Sequence, residues 1–197
     1  MIRQKTIKYS VVVEGIGLQT GSRTKLVLKS APADSGINFI RVDLPGKPVI
    51  SVQALSSNGC SLKKRRMTLK AGNAEIQTTE HILSTLFSLG ISNILIEADS
   101  FELPGLDGSA LGYIEAIERA GILEQAVPAK ELVVKNAVRC AAKFGASIEA
   151  VAYDGFKISY SLSYPYSLQT SSLGHFSAKE CLLTRGKSAT QPSERPL

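Results

Sequence analysis

Residues 78–90, with the sequence TTEHILSTLFSLG, carry the clearest helical pattern in the chain. Apolar side chains recur there with a period of about 3.6 residues, at Ile82, Leu83, Leu86 and Phe87. Thr78 is of the type that caps a helix N-terminus, and Gly90 is of the type that ends a helix in the left-handed conformation. The stretch therefore predicts a helix whose first turn carries Glu80 and His81.

Strand patterns surround this helix, and a second helix follows it. β-branched or alternating runs predict strands at Thr6–Val13, Thr24–Lys29, Gly36–Val42 and Asn93–Glu97. The second helix is predicted at about Ala110–Ala120, where Gly121 ends the pattern. Strands followed by a helix, a strand and a helix indicate an α+β fold. We expect residues 1–127 to form a complete two-layer domain of sheet and helix.

The pattern changes at Pro128. Strand-like runs resume beyond it, at Glu131–Cys140, Ala146–Tyr153 and Phe156–Ser163. We expect residues 129–165 to form strands of an incomplete second α+β domain of the same type. Ser, Thr, Gln and Pro dominate the rest of the chain, so residues 166–197 are predicted to be an irregular tail.

Composition excludes several classes of protein. The 197 residues are 44% apolar and 20% charged, which is typical of a globular protein with a buried core. There is no run of about 18 apolar residues that could span a membrane. The first residues resemble no signal peptide, so we expect the chain in the cytoplasm. The three cysteines, Cys60, Cys140 and Cys181, are too far apart for a CxxC zinc site or a disulfide framework.

The formal net charge is +6, and one basic cluster stands out, Lys63, Lys64, Arg65 and Arg66. Four adjacent cations can meet a polyanion. This gives an alternative function, a non-catalytic α+β module that binds RNA or another polyanion through Lys63–Arg66. No aromatic residues interleave the cluster for base stacking, so a solvated loop is the favoured interpretation.

Glu80 and His81 are the best candidates for a chemical site. A helix N-terminus presents free N–H groups and positive potential, which favour a carboxylate there. A neutral imidazole can bind a metal, and a glutamate beside it can act as base toward a metal-held water. The alternative is a helix-stabilising glutamate followed by a surface histidine. A catalytic zinc needs about three protein ligands, and His175 is the second histidine, in a polar, turn-like setting.

Two loops have alternative interpretations. Asp107, in Leu106-Asp107-Gly108-Ser109, is either a functional acid or a turn-and-cap residue, and the second role is favoured. The glycine-rich segment Gly15–Gly21 predicts a tight turn with a close backbone approach. No helix pattern follows this segment, which argues against a phosphate-binding loop.

Several of these segments together resemble one enzyme family. They occur in the order Gly15-Ile16-Gly17-Leu18-Gln19-Thr20-Gly21, Thr79-Glu80-His81-Ile82-Leu83-Ser84, Leu89-Gly90-Ile91-Ser92-Asn93 and Pro104-Gly105-Leu106-Asp107-Gly108-Ser109-Ala110. Asp34-Ser35-Gly36-Ile37 and Asp154-Gly155-Phe156-Lys157 fit the same pattern. Over about residues 2–165 the chain closely resembles the UDP-3-O-acyl-N-acetylglucosamine deacetylases, the zinc amidases of lipid A synthesis.

The resemblance implies two similar α+β domains packed face to face with a zinc ion between them. It implies that His81 is a zinc ligand and that Glu80 is the general base for a reaction that releases acetate from a UDP-sugar lipid. It assigns no substrate-binding residue here.

The chain also departs from the family pattern. The family's second domain carries a His-Lys-x-x-x-Asp-type motif that supplies the other ligands, a later histidine and an Ala-Arg-Thr-Phe-type segment, and this sequence contains none of them. Gln19 stands where many family members have histidine. The residues after about Ser171 do not resemble the family. We therefore expect a truncated deacetylase with little or no activity.

Overall fold

The structure is a computed structural model that describes residues 2–54, 59–61, 66–142, 146–162 and 172–177. The described residues divide into two compact units, residues 2–129 and residues 130–177. Each unit is described by itself below.

The first unit contains ten of the strands and both α-helices found in the described residues. They are β1 Arg3–Ile7, β2 Val11–Ile16, β3 Arg23–Ser30, β4 Ile37–Arg41, β5 Val49–Ser51, β6 Cys60–Ser61, β7 Thr68–Ala71, β8 Ala74–Gln77, α1 Glu80–Leu89, β9 Ile94–Ala98, α2 Leu111–Ala120 and β10 Ile122–Pro128. The largest sheet has the order β2-β3-β9-β4-β5, in which only the β4–β9 pair is parallel. A three-stranded sheet, β6-β7-β8, and the pair β1-β10 complete the unit. The predicted α+β class is confirmed.

Buried and exposed side chains alternate along the strands, and the buried ones form the core between sheet and helices. In β3, Thr24, Leu26 and Leu28 are buried while the residues between them are more exposed. Most of the buried apolar side chains of β9 and of both α-helices belong to the same hydrophobic cluster. The helix members of that cluster are Ile82, Leu86, Tyr113, Ala116, Ile117 and Ala120. Each large apolar side chain buried in this way stabilises the unit by about 1.5–3 kcal/mol.

A buried amide network joins distant segments of the first unit. Asn93 Nδ2 donates to Gln4 Oε1 and to Gln125 Oε1, both at 2.7 Å. Asn93 Oδ1 accepts the N–H of Gly36 at 2.8 Å. These bonds connect β1, β10, the loop before β4 and the loop that follows α1. The network therefore fixes how the β1–β10 pair meets the rest of the unit.

The strands predicted for the first unit lie where the sequence placed them, but several of their bounds differ. The run Thr6–Val13, predicted as one strand, is divided between β1 and β2, because Lys8 and Tyr9 donate their N–H groups to the backbone at the end of α2 instead. The short strands β5 to β8 and the strand β10 were not predicted. The helices were predicted to within two residues.

The described part of the second unit consists of two antiparallel hairpins and connecting segments. Their strands are β11 Val138–Ala141, β12 Ser147–Ala150, β13 Lys157–Leu162 and β14 Ser172–Ser177. Residues 131–137, predicted as part of a strand, lie outside any strand, and all residues of β11 and β12 are exposed. The assignment of residues 129–165 to an incomplete second domain stays a prediction.

The prediction of an irregular tail is wrong for six of its residues. Ser172–Ser177 forms β14, which pairs along its length with β13. Backbone hydrogen bonds make this pairing, so the serine and glycine content of the segment did not reveal it. His175 lies in this strand opposite Ser159, and not in the turn expected for it. The tail residues 163–171 and 178–197 lie outside the described residues.

No helix of the described residues is long and apolar enough to cross a membrane.

Candidate functional site

The first turn of α1 carries the two candidate residues, as the sequence predicts. The helix begins at Glu80, and His81 follows it. The predicted cap is wrong by one residue, because Thr79 precedes the helix and its side chain makes no capping bond. Thr78 has a φ of 61°, and its hydroxyl donates to Glu102 Oε1 at 3.1 Å instead of capping the helix.

The carboxylate of Glu80 is held on one side by the backbone. Its Oε2 accepts the N–H of Met67 at 3.0 Å, and no donor among the described residues contacts Oε1. Glu80 also lies within electrostatic reach of Tyr113: burial first, and then the charge of Glu80, raise the pKa of that phenol. Tyr113 is fully buried, and its hydroxyl donates to Pro104 O at 2.7 Å. This bond holds the loop before α2 against that helix.

His81 is partly exposed at the start of α1 and is not enclosed in the core. Its carbonyl oxygen accepts hydrogen bonds from Ser84 Oγ at 2.8 Å and from Thr85 Oγ1 at 2.9 Å. Thr85 is buried, so this bond ties the first turn to the packed side of the helix. The imidazole is therefore presented from a fixed backbone at the surface of the unit.

Asp107 lies in the turn that leads into α2, as predicted. Its Oδ1 accepts the N–H of Ser109 at 2.9 Å and the Ser109 hydroxyl at 2.8 Å. The Ser109 Oγ in turn accepts the N–H of Leu111, the first residue of α2, at 3.0 Å. These bonds from Ser109 hold the pKa of Asp107 below its ordinary range, and His81 acts in the same direction. The structure thus brings Asp107 within electrostatic reach of His81.

Glu102 is a buried carboxylate that the sequence analysis missed. It is 1% exposed and accepts the backbone N–H groups of Gln19 and Thr20, both at 2.8 Å, besides the Thr78 hydroxyl. Burial alone would raise the pKa of Glu102, but the hydrogen bonds from these three residues together hold it below its ordinary value. A glutamate between Phe101 and Leu103 gives no sequence signal that distinguishes it from an exposed loop residue.

The described residues do not complete a zinc site. Among them, no group of three histidine, cysteine, aspartate or glutamate side chains lies close enough to hold a metal ion. Cys60 and Cys140 are exposed free thiols outside any such group. Nothing is described of the side chain of His175, and Cys181 lies outside the described residues. His81 is therefore a single candidate ligand, with Glu80 beside it.

The basic cluster lies almost entirely outside the described residues. Lys63, Lys64 and Arg65 are not described, and Arg66 is partly exposed. No structural observation supports the alternative that this cluster binds RNA or another polyanion.

Comparison with known proteins gives one consistent family. A sequence model of the UDP-3-O-acyl N-acetylglycosamine deacetylase family matches residues 4–181, so the match extends further toward the C-terminus than the motifs indicated. Three proteins, each named UDP-3-O-acyl-N-acetylglucosamine deacetylase, are among the similar ones. The protein from Thioalkalivibrio sulfidiphilus is 35% identical over 173 residues, which are 85% of this chain and 54% of that protein. The proteins from Cellvibrio japonicus and Teredinibacter turnerae are 38% and 37% identical, each over 84% of this chain and 54% of the relative. The chain spans about half the length of the curated relatives it matches.

Proposed function

Because this chain belongs to the UDP-3-O-acyl-N-acetylglucosamine deacetylase family, we propose that it carries the Glu80 and His81 part of a zinc-dependent amide hydrolase. The observation that carries the proposal is the placement of these two side chains, adjacent on the first turn of α1 and outside the core. The proposed substrate is a UDP-3-O-acyl-N-acetylglucosamine of lipid A synthesis, and the proposed location is the cytoplasm.

His81 is proposed as one metal ligand. When bound, zinc lowers the pKa of a coordinated water and polarises a carbonyl oxygen. About three protein ligands are needed for such a site, and the described residues offer one. The other ligands are proposed to belong to the family motifs that this sequence lacks, and we assign no reaction step to the metal.

Glu80 is proposed as the general base. The Met67 N–H fixes Oε2, so Oε1 is the oxygen that takes a proton from the attacking water and passes it to the leaving nitrogen. The position at a helix N-terminus stabilises the carboxylate before the proton arrives. A carboxylate held at one oxygen, with no donor among the described residues at the other, suits this transfer.

Zinc binding tests the role of His81. We expect zinc to shift the imidazole NMR signals of His81 in the chain, and His81→Ala to abolish that response. His175→Ala is the matched control, since these are the two histidines of the sequence, and it should leave the response intact. Glu80→Gln should also retain it, because the amide keeps the shape of the side chain. Zinc that shifts the imidazole signals of His175 in the wild-type chain and leaves those of His81 unchanged would contradict the proposal.

Catalysis by the chain alone is expected to be weak. A single imidazole leaves the metal held mostly by water, so the zinc affinity should be orders of magnitude below that of a complete site. Acetate release from a UDP-3-O-acyl-N-acetylglucosamine, with zinc supplied, should be close to background in the wild-type chain and in His81→Ala. Rapid turnover that disappears in His81→Ala would show that this chain completes its own ligand set.

A further inference from the structure

Glu102 connects the start of α1 to the glycine-rich loop between β2 and β3. Its Oε1 accepts both the N–H of Gln19 and the Thr78 hydroxyl, and its Oε2 accepts the N–H of Thr20. All three partners are donors, so an acceptor-only group fits this position and a neutral amide does not. The side chain is almost completely buried, which makes each of these bonds costly to lose.

On the helix side, Glu102 fixes the residue that sets the entry into α1. Thr78 has a left-handed φ of 61°, a conformation that a β-branched residue rarely adopts. The backbone next to it is also bonded to the Glu102 segment: the N–H of Gln77 donates to Phe101 O at 2.7 Å, and the N–H of Leu103 donates to Gln77 O at 3.1 Å. The path of the chain into Glu80 is thus set by side-chain and backbone bonds together.

On the loop side, the same carboxylate leaves no room for a side chain at Gly17. A Cβ at that position would lie 2.5 Å from Glu102 Oε2 and 2.6 Å from Thr20 Oγ1. A second bond, from the N–H of Gly105 to Ile16 O at 2.9 Å, holds the loop against the segment that follows Glu102. Loop and helix start are therefore fixed to one buried anchor.

We infer that Glu102 is a positioning residue, which orients Glu80 and His81 through Thr78 and holds the Gly15–Gly21 loop beside them. Its carboxylate bonds to Gln19, Thr20 and Thr78, so it acts on the two candidate residues through the backbone. The inference rests on the proposed function, since it gives the two candidate residues a fixed geometry. Glutamate is required because the site presents three donors to one side chain.

The test compares substitutions that remove single bonds. Glu102→Gln turns an acceptor into an N–H₂ group that faces a backbone N–H, and Thr78→Val removes one hydroxyl without changing the shape of the side chain. Thr78→Ser keeps the hydroxyl and is the conservative variant. Asn93→Ala is the stability control, because it disrupts the separate amide network without altering any contact of Glu102.

Two readouts are taken by NMR at a temperature where every variant is folded. The first is the set of chemical shifts of the Glu80 and His81 amides and of the His81 imidazole, without metal. The second is the zinc affinity reported by the His81 imidazole. Substituting residues that orient a metal ligand typically costs about 10–100-fold in affinity. Because Glu102 acts on His81 only through Thr78 and the backbone, Glu102→Gln should lower the zinc affinity about 10-fold and Thr78→Val about 3-fold.

Thr78→Ser and Asn93→Ala should match the wild-type protein in both readouts. If Glu102→Gln changes neither readout, or if Asn93→Ala changes both as much, Glu102 contributes only stability and the inference is wrong. If zinc leaves the His81 signals of the wild-type chain unchanged, the proposed function fails. The metal-free chemical shifts then still decide the role of Glu102.

Discussion

Replacing Asn93 with alanine should destabilise the first unit strongly, because one side chain serves three partners there. The Asn93 amide donates to Gln4 and Gln125 and accepts the N–H of Gly36. Gln4 Oε1 keeps a second donor, the N–H of Asp34 at 2.8 Å. The substitution therefore removes the partner of Gly36 N–H and of Gln125 Oε1 without supplying another.

The size of the effect follows from these two groups. Asn93 is 1% exposed, so water does not readily replace its amide. A buried polar group left without a partner costs about 1–3 kcal/mol, so two cost at most about 2–6 kcal/mol, and the partial exposure of Gly36 and Gln125 places the loss in the lower part of that range. The whole free energy of unfolding of a domain is typically about 5–15 kcal/mol. With a urea m-value of about 1.5 kcal/mol/M, a loss of 3 kcal/mol lowers the midpoint by about 2 M.

Urea unfolding followed by circular dichroism at about 222 nm measures this loss, since both helices of the described residues belong to the first unit. Asn38→Ala is the matched control. Its amide donates to two carbonyls of a nearby turn, Ser35 O at 2.8 Å and Gly36 O at 3.4 Å, and its loss should cost about 1 kcal/mol. An Asn93→Ala variant no less stable than Asn38→Ala would refute the reasoning.

Three further predictions concern other parts of the first unit and the segment that follows it. Gly17→Ala should lower the free energy of unfolding by about 1–3 kcal/mol, as urea titration would show, because the new Cβ meets Glu102. The Arg41 guanidinium, by hydrogen bonding, holds the pKa of Asp43 below its usual value. The resulting stabilisation is complete above the unfolded pKa of about 3.9 and is lost as the pH falls through the folded pKa. Between about pH 6 and pH 2, the free energy of unfolding of Asp43→Asn should therefore fall less than that of the wild-type protein. Limited proteolysis should cut first within residues 130–137, which are mostly exposed and outside any strand, and a chain cut first inside α1 would contradict this.

The parts of the fold that depend on local patterns could be predicted from the sequence. The period of apolar residues located α1 and α2, and Gly90, with a φ of 70°, ends α1 in the left-handed conformation expected for it. Strict alternation located β3. In each case the residues that carry the signal are neighbours in the sequence, so the pattern and the structure coincide.

The parts that depend on distant partners could not be predicted. β10 pairs with β1 across more than a hundred residues, and its own sequence, ILEQAVP, does not alternate. Thr78 is of a residue type that often caps helices, but its hydroxyl donates to Glu102, which lies 24 residues further along the chain. The hairpin of β7 and β8 is an exception, because the Gly72-Asn73 turn between its two short strands is a local hairpin signal.

The same division applies to the candidate site. The place of Glu80 and His81 on a helix start followed from the local pattern, and so did the turn at Asp107. The buried role of Glu102 and the electrostatic link between His81 and Asp107 arise from the packing of the loop before α2 against the start of α1. Tertiary packing of this kind is not encoded in any single window of the sequence.

Anomalous X-ray diffraction at the zinc edge, from crystals of the chain grown with zinc, tests the central claim most directly. The account predicts an anomalous peak about 2.0–2.1 Å from a ring nitrogen of His81, at the first turn of α1. The same peak should be absent from crystals of His81→Ala. Zinc bound at His175 or at an exposed cysteine, with no peak beside His81, would contradict the account.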